Sequence, residues 1–399
     1  MEIWNEGKIK DFADVKGGKR LPKGKKLITE PNLHPYIRIK DLGKSKVLEL
    51  NSDYEYVDDE TQELIAKYIV ETGDILVSVV GTIGLIAIVG ESLDRANQTE
   101  NCDKIINIKG IDRDYLYYYL ISPAGQEEIR RRTVGAVQPK LPLKNVLDIT
   151  VKYPSIGTQQ KIVSILNSLD NKIVVNEQIN RNLYEQAVAL FEAMYQEYPI
   201  KKISELDIFV TDYVANGSFA SLKENVTILE EKNYAYFIRN VDLKAKEFPR
   251  FVNQHSYEFL SKSKLVGGEV IISNVGDVGS VFLCPKLDGP MTLGNNMIML
   301  TSPKHNNYLY LLFKSYIGQG KIGGITGGSA QSKFNKTDFK SLEINYPDES
   351  QVDEFNEKTS ALLDMISKLD EENKRLTALK NSLLPKLMCG ELDLSDLDI

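Results

Sequence analysis

The sequence predicts a mixed α/β (α+β) head built twice, each copy followed by a long α-helix. The two helices are expected to pair as an antiparallel coiled coil with pseudo-two-fold symmetry. Three observations carry this expectation. The stretch "GDILVSVVGTIG" from Gly73 returns as "GEVIISNVGDVG" from Gly268, 195 positions later (268 − 73). "GAVQPKL" (135–141) returns as "GSAQSKF" (328–334), setting Gln138 and Lys140 opposite Gln331 and Lys333, 193 positions apart (331 − 138). Each copy then runs into a heptad-spaced stretch of nearly forty residues. Repetition at so long a period marks two copies of a whole domain rather than a solenoid.

Bulk composition bounds the rest. A chain of 399 residues exceeds one ordinary core. It is 42% hydrophobic and 26% charged, as soluble globular proteins are. No apolar run is long enough for a membrane span, and the start, "MEIWNEGKIKD", lacks the apolar core of a secretory signal. Cys102, Cys284 and Cys389 form no CxxC pair, which fits a reducing cytoplasm. The net charge of −7 is unlike a free-standing nucleic-acid binder, unless positive charge is local or a partner supplies it. Two runs are locally basic: "KGGKRLPKGKK" (16–26) and "IRRRTVGAVQPK" (129–140) contain no acid. The C-terminal end is acidic.

Taken in order, "YIRIKDL" (36–42) and "FIRNVDL" (237–243) match, with Arg38 and Arg239 read as ion-pair partners of Asp41 and Asp242. Segments 73–80 and 84–89 read as a hairpin around "GTIG". Residues 98–108 read as the next strand. Residues 112–132 read as one helix capped by Asp112 or Asp114, with "NNYLYLLFKSYI" (306–317) as its echo. The tyrosines of these helices (Tyr115, Tyr117, Tyr118, Tyr119, Tyr308, Tyr310) read as core and rim packing rather than as a base-stacking platform. Pro154 and Pro347 stop the long helices from extending backwards.

The first helical seam is Ile162, Leu166, Leu169, Ile173, Asn176, Asn180, Leu183, Ala187, Leu190 and Met194, stepping by 4 and 3 throughout. The second is Phe355, Thr359, Leu362, Ile366, Leu369, Asn373, Leu376, Lys380, Leu383 and Leu387, interrupted by Thr359 and Lys380. Asn176, Asn180 and Asn373 either fix the register or mark solvated gaps. Thr158 to Tyr195 is 38 residues, about 57 Å of helix. The second copy resumes a few residues later, so a parallel pair would need an impossibly long return link. Antiparallel pairing does not, and it implies two heads held apart by a rod.

Catalytic signatures are missing. There is no phosphate-binding GxxxxGK[ST], no GxSxG and no HExxH. His34, His255 and His305 are isolated and read as surface or packed residues.

These stretches, in this order and twice over, resemble the DNA-specificity (S) subunit of type I restriction-modification enzymes. They are "GDILVSVVGTIG", "GAVQPKL", "YPSIGTQQKIVSILNSLDNKI" and their second-copy counterparts, with "FNKTDFKSLEINYP" and "NSLLPKLMCGEL". The resemblance covers essentially the whole chain. It implies target-recognition domains at 1–155 and 199–347, and conserved helical regions at 156–198 and 348–399. It also implies a non-catalytic subunit that reads a split, asymmetric site on double-stranded DNA. Two modification (methyltransferase) subunits and restriction (translocase-nuclease) subunits would be its partners. S-adenosylmethionine, ATP and Mg²⁺ would belong to those partners, with no cofactor or metal in this chain. The rival readings are a self-sufficient nuclease or methyltransferase, and a coiled-coil adaptor whose heads bind protein.

For DNA contact the candidates are Lys16, Lys19, Arg20, Lys23, Lys25 and Lys26, on phosphates. Gln138 and Gln331 have the chemistry to pair with adenine, and Lys140 and Lys333 with guanine or phosphate. Both heads share these last four, which suits backbone positioning better than base reading. Readers are expected where the copies diverge, as at 43–70 and 244–265.

Overall fold

The computed structural model describes residues 3–195, 198–328, 331–392 and 394; the acidic end at 395–399 lies outside them. The chain divides into two units. One comprises Met1–Asn176 with Glu371–Ile399, the other Glu177–Asp370. Each unit therefore joins a head to parts of both long helices.

In the first unit, strands Ile75–Ser78 and Ile86–Val89 form the expected antiparallel hairpin. They sit inside a five-stranded sheet ordered Asp14–Gly17, Cys102–Ile106, Ile75–Ser78, Ile86–Val89 and Val47–Leu48. Both faces of the hairpin are covered. Ile75, Val77, Ile86 and Ile88 pack with Tyr115, Leu116, Leu120 and Ile129 on one side. Leu76, Ala87 and Val89 pack with Ile37, Leu42 and Leu48 on the other. Two-sided burial explains why "ILVS" and "IAIV" are continuous apolar runs rather than alternating ones. The second unit repeats this core: Val270–Ser273 and Val281–Leu283 pair antiparallel, beside Met297–Thr301 and Phe209–Asp212. A two-stranded ribbon ties the start of each head to its end, Asn5–Lys8 with Thr150–Tyr153 and Ile200–Lys202 with Glu343–Asn345.

Three local expectations are corrected. Residues 98–108 are two strands, Asn97–Gln98 and Cys102–Ile106, in different sheets. Residues 112–132 are two helices, Arg113–Ile121 and Pro123–Arg132. Ser122 breaks them by capping the second helix through Gly125 N, with Pro123 at its first position. The echo breaks in the same way at Ser315. A Cβ on Gly125 or Gly318 would come within 2.1 Å of Tyr119 O or Leu312 O, so only glycine permits these close corners. Third, Arg239 does pair with Asp242, at 2.6 Å, but the Arg38 guanidinium goes to Glu55 instead. Asp41 accepts from the Arg38 backbone N–H at 2.7 Å.

The tyrosines are interior. Tyr115, Tyr117, Tyr118, Tyr119 and Tyr308 are all buried, which leaves these five no ring face for a base, and Tyr310 is half-buried with Lys314 5.1 Å from its ring centre. Tyr115 donates its hydroxyl to Lys152 O at 2.7 Å, and Tyr308 makes the same bond to Asn345 O.

The long helices span Ile156–Tyr195 and Glu349–Cys389, beginning two residues after Pro154 and Pro347. In the first unit, partner numbers fall as helix numbers rise: Asp170 meets Lys380 at 2.6 Å, and Asn176 donates to Asn373 Oδ1 at 2.8 Å. Ile162 and Leu166 share a core with Leu384, Leu387 and Met388. In the second unit, Asn180 donates to Asp370 at 3.0 Å, while Phe191 and Tyr195 share a core with Phe355. Both arrangements are antiparallel. No seam position from either helix is exposed: Ile162, Leu166, Ala187, Phe355, Thr359 and Leu387 are buried, as is Asn176. Leu169, Ile173, Leu183, Leu190, Leu362, Ile366, Leu369, Leu376 and Leu383 are half-buried. The interruptions have partners: Thr359 donates back to Phe355 O at 2.8 Å, and Lys380 pairs with Asp170. Asn176 is fully buried, so it marks no solvated gap.

One buried carboxylate is left without compensation. Asp103 lies opposite Gly17 in the sheet and its Oδ2 has no hydrogen-bond partner among the described residues. Burial pushes its carboxyl up to about 6, from an unfolded value of about 3.9. The folded state thus binds the extra proton, and this group lowers stability as pH rises from about 4 through about 6. Replacing Asp103 by Asn is expected to leave stability nearly unchanged at pH 4. At pH 7 it should raise it by roughly 1–3 kcal/mol, read by urea unfolding at both pH values.

Candidate nucleic-acid interface

The repeated glycines form one tight turn in each unit. Gly81 and Gly84 have φ of +76° and +88°, and Gly276 and Gly279 have +77° and +92°, a region that favours glycine. A glutamine holds each turn. Gln126 Nε2 donates to Gly84 O at 2.9 Å and Leu120 O at 2.8 Å. Gln319 Nε2 donates to Gly279 O at 2.8 Å and Phe313 O at 2.7 Å. The sequence reading missed both clamps, although the repeated S-x-x-G-Q at 122–126 and 315–319 was the available signal. In the second unit the turn also carries Asp277. Lys244, Ser280 and Asn240 hold its carboxyl down at about 2.

A loop leans on each turn. Lys140 bridges Val134 and Val80 through its backbone, and Lys333 bridges Gly327 and Val275 in the same way. Gln138, Lys140, Gln331 and Lys333 are exposed beside these turns, with no side-chain hydrogen bond or ion pair among the described residues. Val137 at the loop's tip is 94% exposed.

The basic run at 16–26 is less positive in space than in sequence. Arg20 pairs with Glu100 at 2.8 Å, and Lys25 with Asp58 at 3.2 Å and Glu60 at 2.6 Å. Lys19 stands over the Tyr68 ring at 5.6 Å, and its carbonyl accepts the Tyr36 hydroxyl. Lys16 lies on the edge strand, at a polar cavity of about 540 Å³ that Lys67, Lys104 and Arg113 also line. Lys23 and Lys26 are exposed, and no ion pair neutralises either among the described residues. The loop's path is fixed at its root, where a Cβ on Gly18 would come within 2.0 Å of Thr99 O. The run at 129–132 is compensated from just upstream: Arg130 and Arg131 pair with Glu127, and Arg132 with Glu128.

The second unit has no copy of this basic loop. After its edge strand Phe209–Asp212 comes a 3₁₀ turn and a short helix, Phe219–Asn225, with Phe219 82% exposed and Lys223 on its surface. The scaffold is common to both units and the surface it presents is not.

Among the described residues, no three His, Cys, Asp or Glu side chains gather where they could hold a metal ion. No helix is long and apolar enough to cross a membrane.

Comparison with known proteins agrees with the repeat. Residues 1–185 and 200–381 each match the family described as "Type I restriction modification DNA specificity domain". The chain is 22% identical over 414 residues to the type I restriction enzyme MjaIX specificity subunit of Methanocaldococcus jannaschii, covering 99% of this chain and 94% of that one. It is 23% identical over 355 residues to the HindI specificity subunit of Haemophilus influenzae, covering 70% and 77%. Among solved structures, the type I restriction-modification S subunit from M. genitalium has a similar fold, with a TM-score of 0.53 at 14% identity over 97% and 96% of the two chains. The two matched stretches take in both heads and most of both long helices, and the chain belongs to the type I restriction-modification DNA specificity family, whose subunits recognise DNA sequence and are not themselves catalytic.

Proposed function

We propose that each unit reads one half of a bipartite, asymmetric site on double-stranded DNA. The observation that carries this is the pairing of a common scaffold with unlike surfaces. Both units hold the same glycine turn by the same glutamine clamp, yet one presents a lysine-rich loop and the other Phe219 and Lys223. Shared parts position; diverged parts discriminate.

Lys16, Lys19, Lys23 and Lys26 then serve phosphates, with Arg20 and Lys25 contributing less because acids already hold them. Gln138, Lys140, Gln331 and Lys333 orient the loops on the backbone. The domains fall at 1–155 and 199–347, with helical regions at 156–198 and 348–399. The paired helices set the spacer and dock two methyltransferase subunits, to which restriction subunits attach. S-adenosylmethionine, ATP and Mg²⁺ work in those partners, and the assembly acts in the cytoplasm. A net charge of −7 is compatible with this role because partners add phosphate contacts.

Two outcomes are expected. Exchanging residues 201–346 for the corresponding head of a relative, then mapping methylated sites, changes one half-site and leaves the other. If both halves change, or neither does, the modular reading fails. Replacing Lys23 and Lys26 together by Ala weakens all DNA sequences alike. It reduces the slope of log affinity against log salt by about 1 for each phosphate no longer neutralised, measured on the complex. A flat salt response in the unaltered complex would favour the adaptor reading instead.

A further inference from the structure

The repeated segment "YIRIKDL…K" and "FIRNVDL…K" lies between the glycine turn and the long helices in each unit. In the second unit the connection is direct. Lys244 pairs with Asp277 of the turn at 2.6 Å, and Asn240 donates to the same carboxylate at 3.1 Å. Two residues on, Lys246 pairs with Asp370 of the second long helix at 2.5 Å. Asp370 in turn accepts from Asn180 of the first long helix at 3.0 Å. Lys246 has a left-handed φ of +55°, a backbone state few residues adopt, which aims the chain away from its helix Asn240–Ala245.

In the first unit the same segment reaches the turn through a shared core: Ile39 and Leu85, which follows Gly84, both pack against Ile37, Leu42 and Leu48. Ile39 Cδ1 is close enough to Gly81 that a Cβ there would lie 3.7 Å from it. Its far end, Lys46, enters a half-buried polar cluster. Lys46 Nζ pairs with Asp114 at 3.3 Å, donates to Asn167 Oδ1, and lies 4.5 Å from the Tyr118 ring centre. Tyr118 donates to Asp170 at 2.7 Å, and Asp170 accepts Lys380 from the second long helix at 2.6 Å. Strand Val47–Leu48 follows Lys46 at once and pairs with the hairpin strand Ile86–Val89.

We propose that residues 38–46 and 239–246 are struts that fix the angle of each recognition turn on the long helices; Lys46 and Lys246, at the near edges of the stretches expected to carry base readers, are held by Asp114 and Asp370 and act as positioning residues for spacer recognition. The inference rests on the two-half-site reading above. An apolar contact of the same size would hold head and helix together at least as well, because buried ion pairs rarely add net stability. What a directional network adds is one geometry, since its hydrogen bonds fail when the head tilts. One base pair more or fewer in the spacer rotates the second half-site by roughly 35°. A head fixed in angle cannot follow that rotation.

The test uses the complex assembled with its modification subunits, and a duplex series that keeps both half-sites and varies the spacer by one base pair either way. Methyl transfer is measured for unaltered protein, Lys46→Met and Lys246→Met, with melting temperature recorded for each. Lys46→Met is expected to keep methylating the native spacer and to lose about tenfold of its discrimination against the altered spacers. Lys246→Met should move in the same direction by less, because its pair with Asp370 is more exposed. Unchanged discrimination in both variants overturns the struts. So does a uniform loss on all spacers that tracks melting temperature, which is the mark of a merely structural role. If the unaltered complex prefers no spacer, the two-half-site reading falls and takes the struts with it.

Discussion

Each unit depends on a segment of chain that is distant in sequence. The first unit is completed from residue 371 onward, where the second long helix, up to Cys389, returns along the first half of the helix Ile156–Tyr195. Without that stretch Ile162 and Leu166 lose Leu384, Leu387 and Met388. The second unit likewise needs residues 349–370 against Ala187, Phe191 and Tyr195. The apolar contacts near the ends of each helix supply most of the burial, and polar pairs lie between them: Asp170 with Lys380, Asn176 with Asn373, Asn180 with Asp370. Leucine seams can slide by a heptad. A buried asparagine that slides loses its partner and remains desolvated, which costs about 1–3 kcal/mol. The polar pairs therefore set register where the leucines supply adhesion.

That register matters because the heads are anchored to it. The glycine turns are held by Gln126 and Gln319, each on the second short helix of its pair, and the first helix of each pair shares a core with the long helices through Tyr115 and Tyr308. Rigid positioning of a turn is what a DNA-reading surface needs, since base edges discriminate only side chains delivered within a narrow range of angles. The scaffold is the repeated part of the chain, and the loops it carries are free to differ.

Much of this was legible in the sequence because the signals were local or repeated. The hairpins follow from apolar runs between glycines, and the long helices from a seam that never breaks phase and a proline two residues before each start. What escaped was long-range. "KGGKRLPKGKK" contains no acid, but Glu100, Asp58 and Glu60 come to it in space. Arg38 looked like the partner of Asp41 at i+3, as Arg239 is of Asp242, but the strand Glu55–Tyr56 brings Glu55 within reach and the guanidinium pairs there instead. The helix break at Ser122 was readable from Ser-Pro, yet apolar spacing continues across it and masked the cap. The cluster around Tyr118 was not legible: Asp170 lies within "YPSIGTQQKIVSILNSLDNKI" and Lys46 just past "YIRIKDL", but only the fold brings Asp170 to the Tyr118 hydroxyl and Lys46 to Asp114.

Removing residues 371–399 and following amide hydrogen exchange in what remains tests the antiparallel account most directly. Protection should collapse in residues 156–176 and in the ribbon Asn5–Lys8 with Thr150–Tyr153, while residues 200–345 keep theirs. Loss of protection in 177–195 with 156–176 unaffected would mean that the helices run the same way, and would contradict it.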